Sequence, residues 1–230
     1  RVTDKKYPSF SVVHNNLGNT LFAERKTEEA ISHYKTAIRL KPDYSLAHYN
    51  LGNALFAERK TAEAISHYKT VIRLKPDFAP AHNNLGDALF IERKTAEAIS
   101  HYKIAVKLKP DHAYGYNNLG AALLVEQKTE EAIPNLKMAI RLKPDYAEAY
   151  YNLGTALEKG MIGEAITNYK RAIELKPDFA EAHYHLGNAL FSMNETEEAS
   201  SHYKMAIELK PEFAEAHYHL GNALSADRKT

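Results

Sequence analysis

Apolar residues fall at helical spacing through most of the chain, and residues 45–78, SLAHYNLGNALFAERKTAEAISHYKTVIRLKPDF, show the unit from which that pattern is built. His48, Leu51, Gly52 and Leu55 lie at i, i+3, i+4 and i+7 and share one helix face. Ala64, Tyr68 and Val71 do the same for a second helix. We call the two helices A and B. Gly52 and Ala64 are small enough for close approach, and Leu55 and Tyr68 fill the space around that contact. The end signals agree with this division. Thr61 is placed to cap helix B, with Glu63 in its positive first turn. Arg73 and Lys75 suit the negative end of the helix. Pro76 stops it, because the residue before a proline is steered away from the helical region. Asp77 is then placed to cap the next helix A.

This unit recurs. Leu-Gly pairs stand at Gly18, Gly52, Gly86, Gly120, Gly154, Gly187 and Gly221, every 34 residues except for one step of 33 between Gly154 and Gly187. Pro42, Pro76, Pro110, Pro144, Pro177 and Pro211 keep the same beat. A fixed period of this size marks a solenoid, in which each unit buries its apolar face on its neighbours. The expected repeats are 11–44, 45–78, 79–112, 113–146, 147–179 and 180–213, with a half repeat at 214–230, forming a single array over 11–230. Residues 1–10 read as the tail of a preceding unit or a linker. Tyr7-Pro8-Ser9-Phe10 echoes the Lys-Pro-Asp-Phe stop, but Arg1 to Lys6 lack the apolar pattern of a helix B.

The residues that recur together, Leu51, Gly52, Ala64, Tyr68 and Pro76 in the second unit, resemble the tetratricopeptide (TPR) repeat. The resemblance covers 11–230. Within the family, AHYNLGNAL is most similar to the superhelical arms of the O-linked N-acetylglucosamine transferases and their bacterial relatives, while nothing here resembles that enzyme's catalytic domain. The resemblance implies an all-α, right-handed superhelical solenoid of antiparallel helix pairs, about six and a half repeats long, with helix A on the concave face. Three features depart from the family. The A–B turn reads Glu-Arg-Lys-Thr, as at Glu58 to Thr61, where the family usually has a glycine; only Gly160 restores it, so the turns are expected to close without a positive-φ residue. Leucine stands late on the core face of helix A (Leu21, Leu55, Leu89, Leu123, Leu157, Leu190, Leu224) in place of an aromatic. His or Tyr stands early in helix A in place of Trp: His14, His48, His82, Tyr116, Tyr150, His183 and His217.

The fifth repeat is irregular. Leu157-Glu158-Lys159-Gly160-Met161 has lost one residue, which is expected to be late in helix A, and Glu158 stands where Phe22, Phe56, Phe90 and Phe191 stand in other repeats. Pro134, just upstream, removes a backbone donor early in helix B. A tolerated turn variant is the simpler reading, and a hinge or a local change of pitch is the alternative.

Composition narrows the function by exclusion. The net charge is +1, without the basic excess of a nucleic-acid binder. The Lys and Arg on helix B (Lys35, Arg39, Lys69, Arg73) read as a solvated convex face. The chain has no cysteine, hence no disulfide framework and no thiolate metal site. No apolar run reaches membrane-spanning length. Twelve histidines follow the repeat, with His14, His48, His82, His183 and His217 facing helix B and His33, His67, His101 and His202 on it. They read as packing residues and not as a metal centre. No phosphate loop, nucleophile elbow or distinct pair of carboxylates is present. An enzyme, a cofactor, a nucleic-acid partner and a membrane span are therefore not expected. A cytoplasmic location is expected from the absence of cysteine and of a leader pattern at Arg1.

What remains is the helix-A face turned away from helix B. One position there carries Asn16, Asn50, Asn84, Asn118 and Asn152, followed by His185 and His219. An amide side chain carries donors and an acceptor, so a regular row of them can hold an extended peptide by its backbone. The transferase arms that this sequence resembles use such a ladder. Asparagines that only join neighbouring helices are the competing reading. Flanking positions would add selectivity: Asn83 and Asn117, with Tyr49, Tyr151 and Tyr184, one residue earlier, and Asn19, Asn53 and Asn188 one turn later, alongside His185. Glu148, Glu181 and Glu215 sit three residues after Asp145, Asp178 and Glu212 and read as capping boxes in preference to an acidic patch. The Lys and Arg by which another branch of the family clamps a C-terminal carboxylate are missing from helix A.

The leading expectation is thus a scaffold that binds a protein or peptide in its concave groove. The alternatives are a substrate-recruiting arm of a larger enzyme, a glycosyltransferase or a kinase, and a self-associating module. The half repeat at 214–230 has no helix B after it, and end-to-end association through Leu220 and Leu224 is expected on that ground.

Overall fold

The structure is a computed structural model that describes residues 9–227. The readings made above for Arg1 to Lys6, for Tyr7-Pro8 and for Arg228 to Thr230 lie outside the described residues. Among the described residues all regular structure is helical, as expected for an all-α helical-repeat solenoid. The chain forms two compact units that meet in sequence at Asp111 and His112. The first contains α1 (Phe10–Ala23), α2 (Thr27–Leu40), α3 (Ser45–Ala57), α4 (Thr61–Leu74), α5 (Ala79–Ile91) and α6 (Thr95–Leu108). The second contains α7 (Ala113–Val125), α8 (Thr129–Leu142), α9 (Ala147–Leu157), α10 (Ile162–Leu175), α11 (Ala180–Ser192), α12 (Thr196–Leu209) and α13 (Ala214–Asp227). Odd-numbered helices are A and even-numbered helices are B. Within each unit every helix packs on the next, and α1 also packs on α3, α3 on α5, α7 on α9 and α11 on α13. Among the described residues no comparable packing joins successive B helices.

The core of a pair is one ring against one glycine. Tyr34, Tyr68, Tyr169 and Tyr203 are fully buried. A Cβ placed on Gly52 would lie 2.7 Å from Tyr68 Cε1, and one on Gly187 would lie 2.7 Å from Tyr203 Cε1. Glycine is needed at these sites because the ring occupies the volume that any side chain would take. Gly120 meets Leu136 in the same way. Of the leucines that replace the family's late aromatic, Leu55, Leu89, Leu123 and Leu190 are at most 1% exposed, whereas Leu224 in the half repeat is exposed.

The A–B turns correct the expectation drawn from Glu-Arg-Lys-Thr. Arg25, Arg59, Arg93, Gln127 and Asn194 all adopt positive φ, between 57° and 64°. Each closes a Schellman motif. In the second repeat Lys60 N donates to Leu55 O at 2.9 Å and Arg59 N donates to Phe56 O at 3.0 Å. The hydrogen bonds of the turn fix the left-handed residue even though its side chain disfavours it. The fifth repeat, which has the glycine, lacks the motif: no glycine among the described residues has positive φ, and Gly160 N and Met161 N both donate to Leu157 O. The residue lost is therefore the left-handed one of the turn, and not one late in helix A as the sequence suggests.

The capping assignments are also corrected. Thr61 is the first residue of α4, and Lys60 precedes it as N-cap without a side-chain bond. The Schellman turn places the threonine one residue too late to cap. Asp77 lies one residue too early, since Phe78 is the N-cap of α5 and the Asp77 carbonyl accepts from Ala79 N at 3.1 Å. Glu148 and Glu181 form no capping box. They accept from Lys176 Nζ at 3.2 Å and Lys210 Nζ at 3.3 Å, each at the C-terminal end of the following helix B.

The histidines pair across each helix pair. Nδ1 of His14, His48, His82 and His183 lies 2.8, 3.0, 3.1 and 3.0 Å from Nδ1 of His33, His67, His101 and His202 respectively. On the far side of the ring, Nε2 of His48, His82 and His183 lies 3.0, 2.9 and 3.2 Å from the carbonyl oxygens of Pro42, Pro76 and Pro177. A carbonyl only accepts, so those three Nε2 atoms carry the proton and their Nδ1 accepts from the partner's Nδ1–H. The helix-A ring of such a pair therefore accepts at Nδ1 as a neutral imidazole, and a second proton placed on that Nδ1 sets N–H against N–H.

The turns and the pairs each lead to a measurement. Arg93→Gly relieves a left-handed non-glycine residue and is expected to stabilise the protein by about 1 kcal/mol; a lowered melting temperature would contradict the assignment. Burial lowers the pKa of His67, His101, His183 and His202, with the partner ring adding to the effect except at His183. A lowered histidine pKa in the folded state means that the unfolded chain binds protons more readily, so this stability is complete above the ordinary histidine range and is lost as pH falls through it. Urea unfolding is expected to show a clear fall in stability from about pH 8 to about pH 5. A variant with His67 and His101 changed to Asn is expected to show a shallower fall, and equal slopes would contradict this account.

Candidate functional site

The A face of each stack is built from two helical rows one turn apart, held in place by the buried tyrosines. In the first unit, Tyr34 OH donates to Asn19 Oδ1 at 2.9 Å, and the same oxygen accepts from Asn50 Nδ2 of the next repeat at 2.9 Å. Tyr68 OH donates to Asn53 Oδ1 at 2.9 Å, which accepts in turn from Asn84 Nδ2 at 2.9 Å. A helix-B hydroxyl, a helix-A acceptor and the ladder residue of the following repeat thus meet at one oxygen. We call this meeting point a node. Burial raises the pKa of Tyr34 to about 12 and carries that of Tyr68 higher, so both remain hydroxyl donors at any ordinary pH.

The acceptor changes along the chain. Tyr102 OH donates to Asp87 Oδ1 at 2.8 Å and Tyr203 OH to Asn188 Oδ1 at 2.9 Å. In the fourth repeat the hydroxyl and its acceptor are both replaced, by Leu136 and Ala121. In the fifth, Thr155 stands at the acceptor position, and Tyr169 OH reaches it at 3.3 Å and Glu158 Oε1 at 2.7 Å. His185, at the ladder position, donates from Nδ1 to the same Oε1 at 3.0 Å. Burial of Glu158 opposes its ionisation, but the bonds from His185 and Tyr169 outweigh burial and hold its carboxyl below the ordinary carboxylate range.

Most of the expected site residues lie on this face, though not all are accessible. Asn16 and Asn19 are exposed, and Asn50, Asn53, Asn84, Asn118, Asn152 and Asn188 are half-buried. The ladder amides are not idle donors. Asn50 Nδ2 also bonds Asn15 Oδ1 at 2.9 Å, Asn84 Nδ2 bonds Tyr49 OH at 3.1 Å, and Asn152 Nδ2 bonds Asn117 Oδ1 at 2.9 Å. Each of these amides joins its repeat to the one before. Asn83 and Asn117, expected as partner contacts, are buried at 7% and 6% exposure. Asn117 donates to Tyr146 OH at 3.2 Å and Asn83 to Asp87 Oδ2 at 3.2 Å, while Asn83 Oδ1 is buried with no hydrogen-bond partner among the described residues. Tyr49, Tyr151 and Tyr184 are half-buried and pack on Phe78, Phe179 and Phe213 at ring-centroid distances of 5.1, 4.9 and 4.8 Å. Tyr151 lies 5.5 Å from the His185 ring and Tyr184 lies 5.7 Å from that of His219.

The residues missed from sequence are the buried tyrosine hydroxyls and Glu158, which complete the nodes. A signal for them was present: the acceptor changes when the helix-B aromatic does, as in Leu136 with Ala121. The histidine pairs carry a similar signal, because helix B has Asn135 and Asn168 in the two repeats where helix A has Tyr116 and Tyr150.

Comparison with known proteins reproduces the same repeat. The TPR repeat family model matches residues 18–58, 53–91, 86–124, 126–160, 157–194 and 187–227. No curated protein matches the chain. Among solved structures, MamA is 30% identical, with 71% of this chain and 96% of that chain covered and a TM-score of 0.63. YrrB, a TPR protein with an unusual peptide-binding site, is 22% identical over 80% of this chain and 96% of that one, at a TM-score of 0.66. PilF of Pseudomonas aeruginosa shares the fold at 19% identity and a TM-score of 0.81, with 92% and 97% covered.

Proposed function

The chain belongs to the TPR repeat family, and we propose that it is a non-catalytic interaction module that holds an extended peptide segment along its A face. The observation that carries this reading is the geometry of the amide row. At each intact node one amide oxygen and one amide nitrogen are used, on different residues. Asn50 keeps its oxygen for a partner and Asn19 its amide nitrogen; one repeat later Asn53 keeps its amide nitrogen, while Asn84 Oδ1 accepts a long bond from Asn83 Nδ2 at 3.4 Å and has one lone pair left. An acceptor and a donor fixed side by side match the N–H and C=O of a peptide unit. The match comes from two residues in successive repeats, where the sequence alone suggested a single bidentate asparagine. Because the nodes hold the amides in place before a partner arrives, little ordering entropy is lost on binding. YrrB is described as peptide-binding, and at 22% identity it supports the fold and not the ligand. Among the described residues no helix is long and apolar enough to cross a membrane.

The test is selection of a binding peptide from a displayed library on the whole chain, followed by substitution. Asn50→Ala with Asn84→Ala is expected to weaken the selected peptide by tenfold or more, at roughly 1 kcal/mol for each lost bond. It is also expected to lower stability, since the same amides join repeats, so affinity must be measured well below the melting transition. Unchanged affinity in the folded double variant would overturn the reading.

A further inference from the structure

The fifth node differs from the others in carrying a charge beside an open cleft. Its origin is the missing turn residue. Helix α9 ends at Leu157, and Glu158 keeps helical dihedral angles (φ −51°, ψ −40°) where the other repeats place a phenylalanine or, once, Leu124. Without the left-handed residue, the chain turns through Gly160 and Met161 onto the Leu157 carbonyl. The Glu158 side chain then takes the place of an asparagine acceptor. Both of its bonds, from Tyr169 OH at 2.7 Å and His185 Nδ1 at 3.0 Å, fall on Oε1. Among the described residues Oε2 has no hydrogen-bond or ion-pair partner. Glu158 lines a cleft of about 270 Å³ together with Lys159, Ile162, Asn188, Ala189 and Ser192.

We infer that this cleft is a socket for one arginine side chain of the bound segment, received by Oε2 of Glu158. The inference rests on the peptide reading above and names a feature that its ligand must carry. Size supports it, because the cleft is smaller than the roughly 300–1,000 Å³ of small-molecule pockets and suits a single side chain. Charge supports it too. The Glu158 side chain is 29% exposed and its carboxylate is oriented before any ligand arrives, whereas Glu148 and Glu181 are already paired with Lys176 and Lys210. Lys159, the cation in the lining, makes no ion pair with Glu158. The walls supply the rest: the Asn188 oxygen is turned to Tyr203 OH and the Ser192 hydroxyl donates to Ala189 O, so Glu158 brings the one anionic acceptor among the lining residues. A metal ion fits less well. A hard cation needs several oxygen ligands, and among the described residues no group of three or more His, Cys, Asp or Glu is placed to hold one. Arginine fits better than lysine because its planar fork is weakly hydrated and can lie along the Ile162 wall while it donates to the carboxylate.

The experiment titrates Ac-Gly-Arg-Gly-NH2 and its citrulline analogue, a neutral isostere, into the isotopically labelled full chain, and follows the backbone amide signals by NMR. The arginine peptide is expected to shift Glu158, Asn188 and Ser192, and the citrulline peptide to leave them in place. Glu158→Gln keeps an oxygen for Tyr169 and His185 while removing the charge, and is expected to weaken the arginine peptide roughly tenfold. No shift at these residues, equal shifts with citrulline, or shifts that Glu158→Gln leaves unchanged would each overturn the socket. Because the probe is too short to span successive nodes, its failure leaves the amide-row reading standing. Failure of the Asn50 and Asn84 substitutions likewise leaves a binding result at Glu158 intact.

Discussion

The contact between a helix-B tyrosine ring and a helix-A glycine governs the geometry of a helix pair and, through it, of the polar face. Gly52 and Tyr68 fix how near α3 and α4 approach, because no side chain fits between them. With the ring held there, the phenolic oxygen emerges on the A face one turn beyond the ladder position, against Asn53. Asn53 then receives Asn84 of the next repeat. One packing constraint within a pair therefore becomes a hydrogen-bonded link between pairs. The polar row that faces a partner is the outer end of a chain of contacts that begins in the core. Unlike a surface lysine or glutamate, each amide in that row is positioned by a neighbour that is itself positioned by packing.

The link also explains why the repeats differ. A node needs one donor from helix B, one acceptor from helix A and one donor from the next repeat. Asparagine, aspartate and glutamate all supply the acceptor, and asparagine or histidine the second donor. The fold tolerates these exchanges because they conserve the bond pattern. The chemistry offered to a partner changes with them: neutral amides at Asn19 and Asn53, a carboxylate at Asp87 and again at Glu158, and nothing at Ala121. Binding character can thus vary from repeat to repeat without altering how the repeats stack.

Much of this was legible in the sequence. Apolar spacing placed both helices of each pair, and the 34-residue beat gave their number and order. The small residues at Gly52 and Ala64 announced close packing. Turn and cap chemistry were read less well. An arginine gives no sign that it will adopt positive φ, because the six-to-one hydrogen bond that forces it is a property of the closed turn and not of the residue. Thr61 and Asp77 are good capping residues displaced by one position, a shift that spacing alone cannot resolve. Asn83 and Asn117 look like surface residues by type and are buried, Asn117 with its amide bonded to Tyr146 and Asn152 and Asn83 with its Oδ1 left without a partner among the described residues. Glu158 was noticed as an exception, but its role depends on Tyr169 and His185, which lie far from it in sequence.

The most direct measurement of the central claim is a double-mutant cycle on unfolding free energy between Tyr68→Phe and Asn84→Ala, two residues that both donate to Asn53 Oδ1. If core packing positions the polar row through that oxygen, the two changes are expected to be non-additive by about 0.5 kcal/mol or more. Strict additivity would contradict the account, and would mean that the amide row stands independently of the core beneath it.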